Sequence, residues 1–207
     1  MGFQKYLYVL FSAPPYRMGR MIRLVTGEPF NHVAIAMEED LTKLYAFARR
    51  YYHTPFYGGF VTERPYRYHH NGATAQIRLY RLPVTEEQWN RLHKRLSDMS
   101  TKAEHYLYNH LSAAAAPFHR KIRVKDAYTC AEFTVSILQE LGLDFNSRRF
   151  YSIGDIAERL VPYHFYDGEF PVPPEEGSAF FASKPVRHPV FTSARDIFAL
   201  FWRKATT

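Results

Sequence analysis

Apolar and polar positions along this chain fall into runs with distinct periods. Lys5 to Phe11 (KYLYVLF) is aromatic and β-branched and predicts a first strand. After a loop at Ser12-Ala13-Pro14-Pro15, Met18, Met21, Ile22 and Val25 recur at helical spacing, and Gly27 ends the turn. Asn31 to Met37 (NHVAIAM) places apolar groups on both faces, as an interior strand does. Lys43 to Phe47 returns beside it as an antiparallel neighbour after the turn at Glu38-Glu39-Asp40. Arg49 to Arg67 is expected to be irregular, punctuated by Pro55, Gly58, Gly59 and Pro65, yet packed down through its aromatics. Ala75 to Leu82 alternates apolar with basic and predicts a half-exposed strand. Thr85 caps a helix whose seam is Trp89, Leu92, Leu96 and Met99. Tyr106 to Phe118 predicts a shorter helix, and a basic run, His119 to Lys125, follows it. Ser152, with Asp155 three residues on, caps a helix to Leu160, and Tyr163 to Tyr166 predicts a last strand ending at Asp167-Gly168.

One stretch carries more than a periodic pattern. From Cys130, apolar side chains recur at Phe133, Ile137, Leu138 and Leu141, with Ser136, Gln139 and Glu140 opposite and Gly142 past the end. The single cysteine of the protein therefore stands where a helix begins. There it meets unpaired backbone N–H groups and the positive end of the helix dipole, which favour the nucleophilic thiolate and can steady an oxyanion beside it.

The remaining chain divides at residue 168. Residues 1–168 read as one α+β domain, a small antiparallel β-sheet packed against helices. Residues 169–207 read as a Pro-rich linker (Pro171, Pro173, Pro174, Glu175, Glu176, Gly177) and a C-terminal amphipathic helix capped by Ser193, with Ile197, Phe198, Phe201 and Trp202 on one face. That face suits docking on its own domain or a partner chain, and also a membrane surface.

Composition narrows the function classes. One cysteine excludes an internal disulfide and any zinc site built on two or more cysteines of this chain, and it suits a reducing compartment. No apolar run approaches the roughly 20 residues of a membrane span and no export leader is visible, so a cytoplasmic location is expected. Lys and Arg number 27 against 20 Asp and Glu, a formal net charge of +7 that favours anionic partners. No zinc-finger spacing or RNA-recognition signature accompanies it, so nucleic acid is not expected. His69-His70 has no nearby acid or cysteine to complete a metal site, and nothing calls for a metal or cofactor.

A cysteine nucleophile needs a base, and His32, opening an otherwise apolar interior strand, is the best placed of ten histidines. Taken singly, a lone buried Cys is more often an inert small hydrophobe and a lone His a satisfied core residue. Together, on a core-facing helix and a central strand, they form the pair that a thiol enzyme requires, and the order His before Cys is no obstacle because geometry defines the pair.

The segments NHVAIAMEEDLTKLYAFARR, TPFYGGFVTE and YTCAEFTVSILQELGLDF resemble the circularly permuted branch of the NlpC/P60 superfamily of papain-like thiol enzymes, closest to its bacterial members. The likeness spans about residues 5 to 168. It implies a small antiparallel sheet on the Cys helix, Cys130 as nucleophile, His32 as base, and amide or ester cleavage or acyl transfer. The family usually places a polar residue on the strand after the His to orient the imidazole. Here Ala46 and Ala48 cannot do so, and Arg49 would repel an imidazolium. Glu63, at the end of GGFVTE, can accept from the imidazole, or be a surface carboxylate paired with a nearby Arg. Tyr128 lines the pocket or simply packs, and Tyr8 and Arg49 complete the candidate substrate contacts.

Two functions remain in view. One is a cysteine hydrolase (amidase, peptidase or esterase) or acyltransferase acting on a small molecule, peptide or lipid. The other is a catalytically degenerate module that holds an anionic lipid, peptide or glycan on a basic aromatic surface.

Overall fold

The longest apolar strand, β1 (Lys5–Ala13), lies in the interior of an eight-stranded sheet. In this computed structural model the described residues are 4–54, 56–146, 148–174, 179–182 and 189–206. In chain order, β1 is followed by α1 (Arg17–Thr26), β2 (His32–Ala36), β3 (Leu44–Arg49) and β4 (Gly58–Glu63). A small hairpin, β5 (His69–His70) and β6 (Ala73–Thr74), precedes β7 (Gln76–Val84) and α2 (Glu86–Thr101). Then come β8 (Leu107–Tyr108), α3 (His110–Ala115), β9 (Ala127–Tyr128), α4 (Cys130–Glu140), α5 (Ile153–Leu160) and β10 (His164–Glu169). The tail contributes α6 (Ala179–Ala182) and α7 (Pro189–Ala205).

The sheet order is β10-β7-β1-β2-β3-β4-β8-β9, antiparallel throughout except for the parallel β8–β9 pair at its edge. The class is α+β, as expected, but the sheet is larger than anticipated and mixed. The strands β4, β5, β6, β8 and β9 were not anticipated. The stretch Arg49 to Arg67 contains β4, fully paired with β3 from Leu44–Glu63 to Arg49–Gly58. The predicted helix from Tyr106 begins only at His110, because Leu107 and Tyr108 pair with β4 and β9.

Strand alternation sorts the apolar residues onto two faces. Leu7, Val9, Phe11, Val33, Ile35, Phe47 and Phe60 face α4, α2 and α5, meeting Phe133, Ile137, Leu138, Leu92, Leu96, Ile156 and Leu160. Tyr8, Leu10, Ala34, Ala36, Leu44, Ala46 and Val61 face the other way, under Leu41, Tyr68 and Phe170. Both faces are covered, which is why β1 and β2 read as near-continuous apolar runs. Phe133 is wholly buried at the centre of the first layer, where truncation to Ala costs about 3–5 kcal/mol.

The tail is folded onto this body. Leu200 of α7 packs with Leu107, Val124 and Ala127, while Phe198, Phe201 and Trp202 stay exposed. Ser193 lies within α7 rather than capping it. Pro55 and the linker residues Glu175, Glu176 and Gly177 lie outside the described residues. Among the described residues no helix is long and apolar enough to cross a membrane.

Candidate active site

Cys130 is the first residue of α4, and its neighbours fix the helix start. Thr129 accepts from the Glu132 N–H (3.1 Å) and the Glu132 carboxylate accepts from the Thr129 N–H (2.8 Å), a reciprocal capping box. Glu132 is tied down further by Ser112 Oγ (2.6 Å) and Asn109 Nδ2 (3.2 Å). Its charge is thus absorbed away from the sulfur, and the β8–α3 corner is anchored to the helix start. The first-turn N–H groups of Cys130 and Ala131 have no acceptor one turn back in the helix.

His32 opens β2 and shares the sheet face of Ala34 and Ala36. β2 and β3 pair through Ile35–Tyr45 and Ala36–Leu44 and separate towards His32. A cleft of about 420 Å³ opens there, lined by Asn31 and His32 on one side, Phe47, Ala48 and Arg49 on the other, and by Cys130.

The imidazole Nε2 lies 3.0 Å from Oε2 of Glu63, and Cys130 stands near enough to the same ring to favour its protonated form. With Nε2 directed at Glu63, Nδ1 is the nitrogen available to the thiol. Glu63 comes from β4, two strands away in the sheet. On the intervening strand and the same face stand Ala46 and Ala48, whose small side chains leave room for Glu63 to reach His32. These alanines, which lack the polar group expected on the strand after the His, make room for one from the next strand.

Glu63 is almost wholly buried, and both of its carboxylate oxygens are hydrogen-bonded. Tyr68 donates its hydroxyl to Oε2 (2.7 Å), and Arg67 donates from Nη1 to Oε1 (3.3 Å) and to the Arg49 carbonyl (3.0 Å). Burial alone would push this carboxyl up, but the His32 charge and hydrogen bond, then Arg67 and Tyr68, pull it down to about 2. Burial alone would likewise push His32 down. The Glu63 charge, followed by the nearby Cys130 sulfur and the Glu63 hydrogen bond, instead raises it to about 10. At neutral pH the proton between His32 and Glu63 therefore rests on the imidazole.

Arg49, one of the expected substrate contacts, lines the cleft, with its guanidinium over the rings of Tyr16 and Tyr52; burial lowers its pKa. Tyr8 and Tyr128 do not reach the cleft. Tyr8 lies on the sheet face of His32 but opposite Ala36, at the other end of β2, where it donates to Glu39 (2.8 Å). Tyr128 turns its ring onto Phe47 (centroids 5.2 Å apart) and borders a shallow depression with Arg91 and Arg95. The His69-His70 pair lies in the β5–β6 hairpin, with His70 stacked on Phe181.

No protein-family model, curated protein or solved structure matches this chain. The reading of the site therefore rests on its own geometry.

Tyr108 is among the residues that sequence reasoning missed. It lines the cleft, and burial, followed by the Cys130 and Glu132 charges, raises its phenol and keeps it a hydrogen-bond donor. Arg67 and Tyr68 were missed as well. Their signal was present, since they fall four and five residues after Glu63, but only knowledge of the turn at Pro65–Tyr68 brings them back to that carboxylate.

Proposed function

We propose that this protein is a papain-like cysteine hydrolase or acyltransferase, with Cys130 as nucleophile, His32 as acid and base, and Glu63 as the residue that orients His32. The carrying observation is that Cys130 and His32 line one open cleft and that the His32 ring is bonded at 3.0 Å to a buried carboxylate. A thiol at a helix start against a central sheet, a His earlier in the chain, and an acid from a neighbouring strand also support the permuted NlpC/P60 architecture.

In the proposed reaction the Cys130 sulfur attacks the carbonyl carbon of an amide or ester. The carbonyl oxygen becomes an oxyanion, held by the Cys130 N–H and the Tyr108 hydroxyl. The imidazolium gives its proton to the departing amine or alcohol as the carbon–heteroatom bond breaks, leaving a thioester on Cys130. His32 then deprotonates water, for hydrolysis, or an acceptor nucleophile, for transfer, and the sulfur departs. Glu63 holds the ring in one tautomer and orientation throughout, without being protonated itself.

The binding-module reading drew its weight from the want of a polar group to orient His32, a role that Glu63 fills in this proposal. Iodoacetamide labelling at pH 6 tests the pair. Cys130 should label at least about tenfold faster than free cysteine, and His32→Ala should abolish the advantage. Activity-based acyl probes should then leave a mass adduct on Cys130 that hydrolyses in the native chain and persists in His32→Ala. Labelling no faster than free cysteine, unchanged by His32→Ala, would sink the proposal.

A further inference from the structure

The helix α1 is attached to the body by its small and polar side. Gly19 is buried against Asn31, where an added Cβ would stand 3.1 Å from Nδ2, and Arg23 donates to Asn31 Oδ1 (2.5 Å). The apolar residues that predicted the helix are turned elsewhere. Met18, Met21 and Ile22 line the Cys130 cleft, while Leu24 is 86% exposed, Val25 73% and Met21 61%. Phe56, 58% exposed, stands on the same cleft lining as Met21, so the apolar surface continues from the helix to the mouth of the cleft.

This face has a charge pattern. Arg17, Arg20 and Arg23 are the only charged residues of α1, and Arg17 and Arg20 make no ion pair among the described residues. They sit one turn before Met21 and Leu24, at i and i+4, beside the apolar strip. The next acid along the chain, Glu28, is turned towards α5, accepting from Ser152 Oγ (3.1 Å) and the Gly154 N–H (3.3 Å). An apolar strip flanked by unpaired arginines, on a helix without acids, matches a surface that is apolar inside and anionic at its rim.

We propose that α1 docks on an anionic lipid bilayer, seating Met21, Leu24 and Val25 among the acyl chains with Arg17 and Arg20 at the phosphates, so that the Cys130 cleft opens at the bilayer surface. The consequence for substrate delivery rests on the function proposed above: an amide or ester carried in the bilayer would reach the thiol without crossing bulk water. The docking itself does not.

Co-sedimentation of the full chain with vesicles tests it, using phosphatidylcholine with and without phosphatidylglycerol. Binding should require phosphatidylglycerol and weaken as salt rises. The double variant Leu24→Glu/Val25→Glu should lose at least about tenfold in vesicle affinity, and Arg17→Glu/Arg20→Glu should lose the preference for phosphatidylglycerol. Because these positions are exposed, the circular dichroism of each variant should match the native chain. Cys130→Ala should bind vesicles as the native chain does, so a failure of the catalytic reading leaves this result standing. Equal vesicle binding by native and Leu24→Glu/Val25→Glu chains overturns the proposal. So does absence of vesicle binding together with a dimer that the Leu24→Glu/Val25→Glu chain fails to form, which would make the occupant a second copy.

Discussion

Tyr108 lines the Cys130 cleft with a phenol that burial keeps neutral. Its neighbour Asn109 is locked to the α4 start through Glu132, which fixes the phenol relative to the sulfur. A residue that only packs and one that donates to an oxyanion behave differently on losing the hydroxyl. Tyr108→Phe should lower kcat for ester or amide turnover by about 10²-fold while KM changes little. Its iodoacetamide labelling should stay at the native rate, because alkylation builds no oxyanion; an unchanged kcat removes Tyr108 from the mechanism. This residue was hidden in the sequence by an alanine-rich stretch that reads as helix from Tyr106 onwards. Cys130 and His32 were legible because a lone cysteine at a helix start and a histidine on an apolar strand each break their local pattern. Glu63 was legible only as an alternative. Its sequence suggests an Arg partner as readily as an imidazole, and the structure supplies both, Arg67 and His32, on its two carboxylate oxygens.

At the scale of elements, the strand that carries Glu63 depends on two glycines. A Cβ at Gly59 would lie 2.2 Å from the carbonyl oxygen of Tyr106, and one at Gly58 would lie 2.9 Å from Tyr108 Cβ. β8 approaches β4 so closely that only glycine fits beneath it. Gly59→Ala should therefore destabilise the fold by about 1–3 kcal/mol, read as a lowered urea midpoint, by forcing the β4–β8 edge apart. A midpoint within error of the native chain would show that the edge yields without cost. The same glycines explain why β4 escaped sequence reasoning: Gly58-Gly59 between Pro55 and Pro65 reads as loop punctuation, and the reason for them is a neighbour about 50 residues away. The α1 helix is the converse case. Its period was legible, but period alone does not say whether an apolar face meets a core, and here its inner contact is Gly19 on Asn31.

For the whole molecule, the α+β class followed from strand and helix periods, whereas the order β10-β7-β1-β2-β3-β4-β8-β9 rests on pairings between distant segments that leave no local trace. That order carries Glu63 across β3 to His32 and makes a buried ion pair part of global stability, with a definite pH signature. His32 is raised from 6.5 to about 10, so its contribution is complete below pH 6.5 and is lost as pH rises through about 10. Glu63 is depressed from 4.5 to about 2, so its contribution is complete above pH 4.5 and is lost as pH falls through about 2. Both terms are complete only between pH 4.5 and 6.5. In that window Glu63→Gln should cost about 3–5 kcal/mol in urea unfolding, as removing one partner of a buried pair does. Above it the gap between native and variant chains should narrow by at most about 1.4 kcal/mol per pH unit, because only in the native chain does the folded state keep a proton that the unfolded state has released. Urea titrations of both chains at steps from pH 5.5 to 10 measure that gap directly. A gap that stays constant across the range would mean that His32 holds no extra proton in the folded state, and the imidazolium on which the proposed attack depends would be absent.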